Sequence, residues 1–228
     1  MEEKPFEGLK ISSSDFLNTL ENRTICPKCM KSRKFYCYNC FVPVKGIEDL
    51  IPRVQLPIKI DIIKHQNECD GKSTSAHAAV LAPDDVRVFT YPCIPDYPDP
   101  SKVVLVFPGK NSLTLEELAR NSRSKPKDRD NNNMTCIQLK SRETKFWRHQ
   151  KDNPATYLST IEAVYYLVRD YHELFLEDTS YNGEYDNLLF FFSFMYQKIR
   201  TFYDGGKDLK AYKQRAKMKQ ICGEKTSE

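Results

Sequence analysis

The chain has 228 residues, 40% of them hydrophobic, and a formal net charge of +4. That length holds one fair-sized domain plus a small appendage, and the apolar content suffices for a buried core. So mild a charge excludes a wholesale polycation. The most apolar run, NLLFFFSFMY, is about half the length a bilayer span needs, which excludes a membrane anchor of that kind.

The first 21 residues read as a loosely ordered arm; MEEKPFEGLK is acidic and mixed, with no apolar core of a signal peptide. A soluble, intracellular protein is expected. CPKCMKSRKFYCYNC follows, setting Cys26, Cys29, Cys37 and Cys40 at C-x2-C-x7-C-x2-C. Two residues between thiolates let both sulfurs of a turn face one ion, and two such turns complete the tetrahedron zinc prefers. The seven-residue gap is long enough for a small hairpin. A four-thiolate site leaves no open ligand position, so the zinc is structural. Disulfides are the alternative, and a reducing compartment disfavours them. Cys69, Cys93, Cys136 and Cys222 have no pairing pattern and read as ordinary thiols. Lys28, Lys31, Arg33 and Lys34 surround the knuckle without an acid, interleaved with Phe35, Tyr36 and Tyr38. Phosphate contact with base stacking, or simple packing of the module, both fit.

VPVKGIEDLIPRVQLP reads as an irregular connector. IKIDIIKH (58–65), VRVFTYP (86–92), KVVLVFPG (102–109) and TCIQLKS (135–141) read as strands. SLTLEELAR starts a helix. RNSRSKPKDRDNNNM (120–134) is a polar tether with one apolar residue, its last. Two helices dominate the rest: Leu158, Ile161, Tyr165, Val168, Tyr171 and Phe175 recur at helical spacing, as do Tyr185, Leu188, Phe192, Met195, Ile199 and Phe202. Phe190 and Phe191 widen the second stripe, so that helix is expected to be buried on most sides. The order implies an α/β layered domain with parallel pairing. The tail from residue 204 carries seven bases against four acids, which points to RNA contact or nuclear import.

Several stretches carry candidate chemistry. Ser159 and Glu162 in LSTIEA fit a capping box, yet a helix start is also a seat for a carboxylate ligand. The FPG turn, Phe107–Pro108–Gly109, stands where strand C-termini line ligand crevices. His65 and Glu68 could act as an acid/base pair or simply belong to a polar loop that also holds Lys72. RETKFWRHQ places the sole tryptophan, Trp147, beside Arg148 and His149 in a basic patch with Lys145. That stretch could contact RNA, or Trp147 could be a buried residue with charged neighbours.

Taken in order, the cysteine pairs, LPIKIDIIKHQNECDGKST, VVLVFPG, LKSRETKFWRHQ, LSTIEAVYYLV and YDNLLFFFSFMYQ resemble the DTW-domain family, nearest its eukaryotic tRNA-uridine aminocarboxypropyltransferases of D-loop type. The resemblance covers about residues 26–203. It implies a SPOUT-like parallel sheet with flanking helices, here joined to a small N-terminal zinc-ribbon-like module. The corresponding division is an arm (1–21), a zinc module (22–45), an S-adenosylmethionine-binding domain (46–203, with the tether at 121–134) and a basic tail (204–228). It also implies transfer of the 3-amino-3-carboxypropyl group from S-adenosylmethionine to N3 of a tRNA uridine. By resemblance, Phe107, Pro108, Gly109, Leu158, Ser159, Thr160 and Glu162 would bind the cofactor. His65, Glu68 and Arg148 would sit at the chemistry, and Lys72, Lys145, Trp147 and His149 would meet the RNA. The tRNA is the implied partner, a nucleus the expected location, with the cytoplasm as alternative.

One feature of the family is missing. Asp-x-Thr-Trp is absent, and Trp147 is preceded by Thr-Lys-Phe. The tether stands where that motif and its strand belong. A central strand is thus expected to be lost, so that the remaining strands pair differently or leave an edge open, and turnover by this chain is in doubt. A non-catalytic zinc-containing RNA binder is the alternative, and methyl transfer a more distant one.

Overall fold

The computed structural model describes residues 4–123, 134–147, 154–176 and 180–204. Most of the tether, Arg148, His149 and the basic tail lie outside the described residues.

Residues 4–21 are not the loose arm expected. Phe6, Leu9, Ile11 and Phe16 pack on the core, and Leu17 in the short helix α1 (Phe16–Thr19) is fully buried. The Lys10 amide donates to Asp186 Oδ2 at 2.7 Å, 176 residues away in the chain, and the Ser12 amide to Asn187 Oδ1 at 2.8 Å. An acidic, mixed stretch is ordered here by a distant acceptor, which no local pattern announces.

The cysteine segment forms two successive antiparallel hairpins, β1 (Thr24–Ile25) with β2 (Ser32–Arg33) and β3 (Tyr36–Cys37) with β4 (Val42–Pro43). The connector then buries Val44, Ile47, Ile51, Val54 and Leu56 in the main core. Next come β5 (Ile60–Lys64), α2 (Ser75–Leu81) and β6 (Val86–Thr90). The two strands pair in parallel, from Ile60 beside Val86 to Lys64 beside Thr90. Helix α2, SAHAAVL, is buried at every residue; its small side chains let it sit close between β6 and the helices that follow.

A second sheet is built from β7 (Val104–Val106), β8 (Leu113–Thr114) and β9 (Thr135–Gln138), with α3 (Leu115–Arg123) packed against it. All pairs are parallel, in the order β7-β9-β8. Helix α4 (Thr160–Phe175) and a 3-10 turn (Asp186–Leu189) leading into α5 (Phe190–Asp204) complete the chain. Leu188, Leu189, Phe190, Phe191, Phe192 and Phe194 are all buried, as the widened stripe predicts.

The class is mixed α/β with parallel strands, but the single sheet expected is split in two. Among the described residues no strand bridges β5-β6 and β7-β9-β8, so each sheet keeps its own free edges. Two cores result, with α4 between them. Ile161, Val164, Tyr165 and Val168 face the large cluster; Leu167 joins Leu115, Leu118 and Ile137 in the small one. Strand β7 is exposed at every residue (Val104 40%, Leu105 49%, Val106 38%), and Phe107 after it at 62%.

Candidate metal centre and substrate cleft

The four cysteines come together as their spacing predicts. Their sulfurs all lie within 4.8 Å of one another. Cys29 Sγ and Cys37 Sγ are 3.6 Å apart, close to what Zn–S bonds of about 2.3 Å impose in a tetrahedron. Each hairpin turns back the same way: the Met30 amide donates to the Cys26 carbonyl at 3.0 Å and the Phe41 amide to the Cys37 carbonyl at 2.8 Å. Met30 (φ 57°) and Phe41 (φ 53°), each the residue after the second cysteine of its pair, take the left-handed conformation. Such strain at two equivalent non-glycine positions persists only where something over-determines the turn, and a shared ion does that. The Lys28 amide points at Cys26 Sγ, 3.4 Å away, an N–H···S contact that favours thiolate. The donor set therefore fits zinc.

The second knuckle also forms one wall of a cleft of about 190 Å³. It contributes Tyr38, Asn39 and Phe41; the parallel pair contributes Lys64, Val88 and Thr90; the loop after β5 contributes Asp70 and Ser75. Lys64 and Thr90 are register partners at the carboxyl ends of β5 and β6, where ligands bind in open α/β sheets. The Lys64 side chain is only 9% exposed and pairs with Asp70 Oδ1. Asp70 Oδ2 accepts from Asn39 Nδ2 at 3.0 Å, and Asn39 Oδ1 accepts from Arg33 Nη2 at 2.6 Å. The Arg33 guanidinium stacks over the Tyr38 ring at 4.0 Å. A Cβ on Gly71 would come within 3.3 Å of that ring, so the absent side chain lets Tyr38 lie on the loop. One polar chain thus couples the metal module to the strand ends. Of these residues only Arg33 and Tyr38 drew attention in the sequence. A lysine closing a largely β-branched strand was the available signal, because a buried ammonium needs a counter-charge.

His65 and Glu68 share a turn, the Glu68 amide donating to the His65 carbonyl at 2.9 Å, but both side chains face solvent and no hydrogen bond joins them. His65 Nδ1 accepts from the Asn67 amide instead. Lys72 is exposed on the same loop. Trp147 packs on Phe146 and Phe192, ring centroids 4.7 and 5.0 Å away, as a core-facing side chain. The stretch it belongs to is tied to α4: Arg142 Nη2 meets Asp170 Oδ1 at 2.6 Å, and the Lys145 amide donates to Glu162 Oε1 at 2.6 Å.

The start of α4 is occupied by the protein's own groups. Glu162, 3% exposed, also accepts from the Ser159 amide (2.8 Å) and the Thr144 hydroxyl (2.7 Å) through Oε2. The Ser159 hydroxyl is aimed at the third helical amide, too loosely for a hydrogen bond, so Glu162 alone closes the box. The Ile161 amide donates to Thr74 Oγ1 at 3.1 Å, which brings the loop after β5 to the helix start. The FPG turn is held elsewhere: Ser112 Oγ and Cys136 Sγ donate to the Phe107 carbonyl, at 2.7 and 3.3 Å. Among the described residues no hydrogen bond or ring contact joins Phe107–Gly109 to Leu158–Glu162.

A four-cysteine knuckle that fits a metal ion, seated on split parallel sheets, defines a mixed α/β protein, and the chain belongs to the DTW domain family, which matches residues 34–133 and 126–200. The two pieces meet inside the polar tether, where Asp-x-Thr-Trp is missing. The chain is 42% identical over 258 residues to tRNA-uridine aminocarboxypropyltransferase 1 of Xenopus tropicalis, covering 87% of each. It is 38% identical to that of Mus musculus over 268 residues (91% of this chain, 88% of the relative) and 40% to that of Homo sapiens over 259 (87% and 85%). In the first of these, 87% of 228 residues is about 198, so about 60 of the 258 aligned positions have no counterpart here. No solved structure matches the chain.

The donor implied by these names, S-adenosylmethionine, is not enclosed by the residues the resemblance assigns to it. Phe107–Gly109 are exposed, the polar atoms of Glu162 are taken by three internal donors, and nothing covers the apolar face of β7 among the described residues.

Proposed function

We propose that this chain serves tRNA-uridine aminocarboxypropyl transfer, with N3 of a tRNA uridine as acceptor and S-adenosylmethionine as donor. In this reading the two parallel sheets correspond to a SPOUT-like sheet that is divided in this chain, the zinc module (22–45) is an RNA-facing appendage of the transferase domain (46–203), and the protein works in the nucleus. The observation that carries it is identity of 38–42% over 87–91% of the chain to proteins of that name. We take the donor side to be incomplete, which sets the rate of this chain far below that of a relative with the whole motif. The test is incubation with unmodified tRNA and S-adenosylmethionine, with mass measurement of the modified nucleoside. A trace of aminocarboxypropyl adduct is expected; a methyl adduct, or none together with no measurable donor affinity, overturns the reading. The open β7 edge favours one second reading, a zinc-containing RNA binder without turnover. It predicts tRNA binding that weakens steeply with salt and is indifferent to S-adenosylmethionine.

A further inference from the structure

The cleft beneath the second knuckle is small and specifically furnished. At about 190 Å³ it falls below the roughly 300 Å³ at which pockets for drug-sized ligands begin, so it suits one ring rather than a whole cofactor. Two aromatic side chains, Tyr38 and Phe41, line it from the metal side. The same cleft is lined by a buried ammonium (Lys64), its half-exposed partner carboxylate (Asp70), the exposed Thr90 hydroxyl and Ser75, whose hydroxyl is shared with Ser73.

We infer that this cleft is a pocket for a single uracil ring, with Asp70 and Lys64 reading its imide edge and Tyr38 and Phe41 forming the wall on the knuckle side. The inference rests on the uridine-directed reading above. The edge of uracil runs carbonyl, N3–H, carbonyl: acceptor, donor, acceptor. The cleft presents the complement. Lys64 has three N–H donors and uses one on Asp70; the Thr90 hydroxyl is another donor. Asp70 receives Lys64 on one oxygen and Asn39 on the other, and each carboxylate oxygen keeps a second lone pair for N3–H. Cytosine would turn an acceptor N3 toward that carboxylate and is repelled. Asn39, braced by Arg33, fixes the orientation of Asp70, which assigns the metal module a part in base recognition beyond structural support. Lys28 and Lys31 stand exposed on the first knuckle, placed for the flanking phosphates.

The test uses the full, zinc-loaded chain and fluorescence anisotropy at one salt concentration, without S-adenosylmethionine. The probes are octamers of uridine, of cytidine and of N3-methyluridine, equal in charge. Uridine is expected to bind about tenfold tighter than cytidine, the size of one good bidentate base contact, and N3-methyluridine to match cytidine. Asp70→Asn, which puts an amide donor where the acceptor stood, should shrink the difference to about twofold or less; zinc content and melting temperature check its fold. Thr90→Ala, which leaves the Lys64–Asp70 pair intact, should weaken uridine binding about threefold and leave cytidine unchanged. Equal binding of uridine and cytidine by the unaltered chain, or undiminished preference in folded Asp70→Asn, overturns the pocket. An aminocarboxypropyl adduct formed equally by Asp70→Asn sinks the pocket and leaves the transferase reading standing. Uridine preference without any adduct does the reverse.

Discussion

The large body and the small sheet of this protein were cut from the same strand-and-helix vocabulary, yet they are finished to different degrees. In the body, α2, α4, α5, the connector and the N-terminal residues close a core in which Leu188, Phe190, Phe191 and Phe192 have no exposure. Around the small sheet the buried apolar residues are Leu115, Leu118 and Ala119 of α3, Ile137 of β9 and Leu167 of α4, and β7 presents all its apolar residues to solvent. Parallel strands normally carry cover on both faces. The difference teaches that completeness is local: the body holds the four-cysteine knuckle and the cleft beneath it, while among the described residues nothing covers β7 in the sheet that carries the FPG turn. Acceptor and donor sides of the proposed reaction thus differ in completeness.

The comparison can be broken most forcefully at the metal. Cys37→Ser removes one of four thiolates, and structural zinc sites contribute on the order of 10 kcal/mol to the modules they fold. Loss of bound zinc and collapse of the Tyr38–Asn39 wall are expected, read by metal analysis and by lost uridine preference; retained zinc would refute the site. Acid tests the body next. His77 is 3% exposed between Tyr36 and Phe191, with no partner for Nδ1, and burial pushes its pKa down to about 3. The unfolded chain binds that proton near pH 6.5 and the folded chain does not. Stability is therefore whole above about pH 6.5 and lost as pH falls toward 3, by up to about 1.4 kcal/mol per pH unit. His77→Phe should flatten that part of the stability curve relative to the unaltered protein; an unchanged slope rules out the histidine as its source.

Glu162→Gln probes the junction between the two regions. It replaces a carboxylate that accepts from Ser159, Thr144 and Lys145, and about 2 kcal/mol of stability should go with it. If Glu162 is a strut, denaturant melts shift and any residual S-adenosylmethionine affinity does not; a selective loss of donor binding would return it to the cofactor site. The smallest effect is expected on β7. Leu105→Lys alters a side chain that is 49% exposed and should change stability by less than about 0.5 kcal/mol, while lowering aggregation in light scattering. A large destabilisation there would mean that the strand is covered after all.

How far these features were legible depends on the range of the interaction behind them. The knuckle was plain because its ligands lie within fifteen residues and chemistry fixes their spacing. Helices α4 and α5 were plain because burial repeats with their period. The N-terminal segment was misjudged because its order comes from Asp186 and Asn187 at the other end of the chain. Trp147 sat between two readings until Phe192 was seen against it. Lys64 and Asp70 went unnoticed as a pair, since the five loop residues between them hide a contact that only the turn after β5 makes.

By itself, then, the sequence determined the metal site, the parallel α/β class, the helix stripes and the family, all of which rest on local spacing or residue order. Tertiary structure alone decided that the sheet divides, that the strand before the FPG turn stands uncovered, and that a knuckle side chain reaches the strand ends to form a cleft. Those outcomes depend on which surfaces find a partner across long stretches of chain, and a partner's absence leaves no mark on the residues that would have met it.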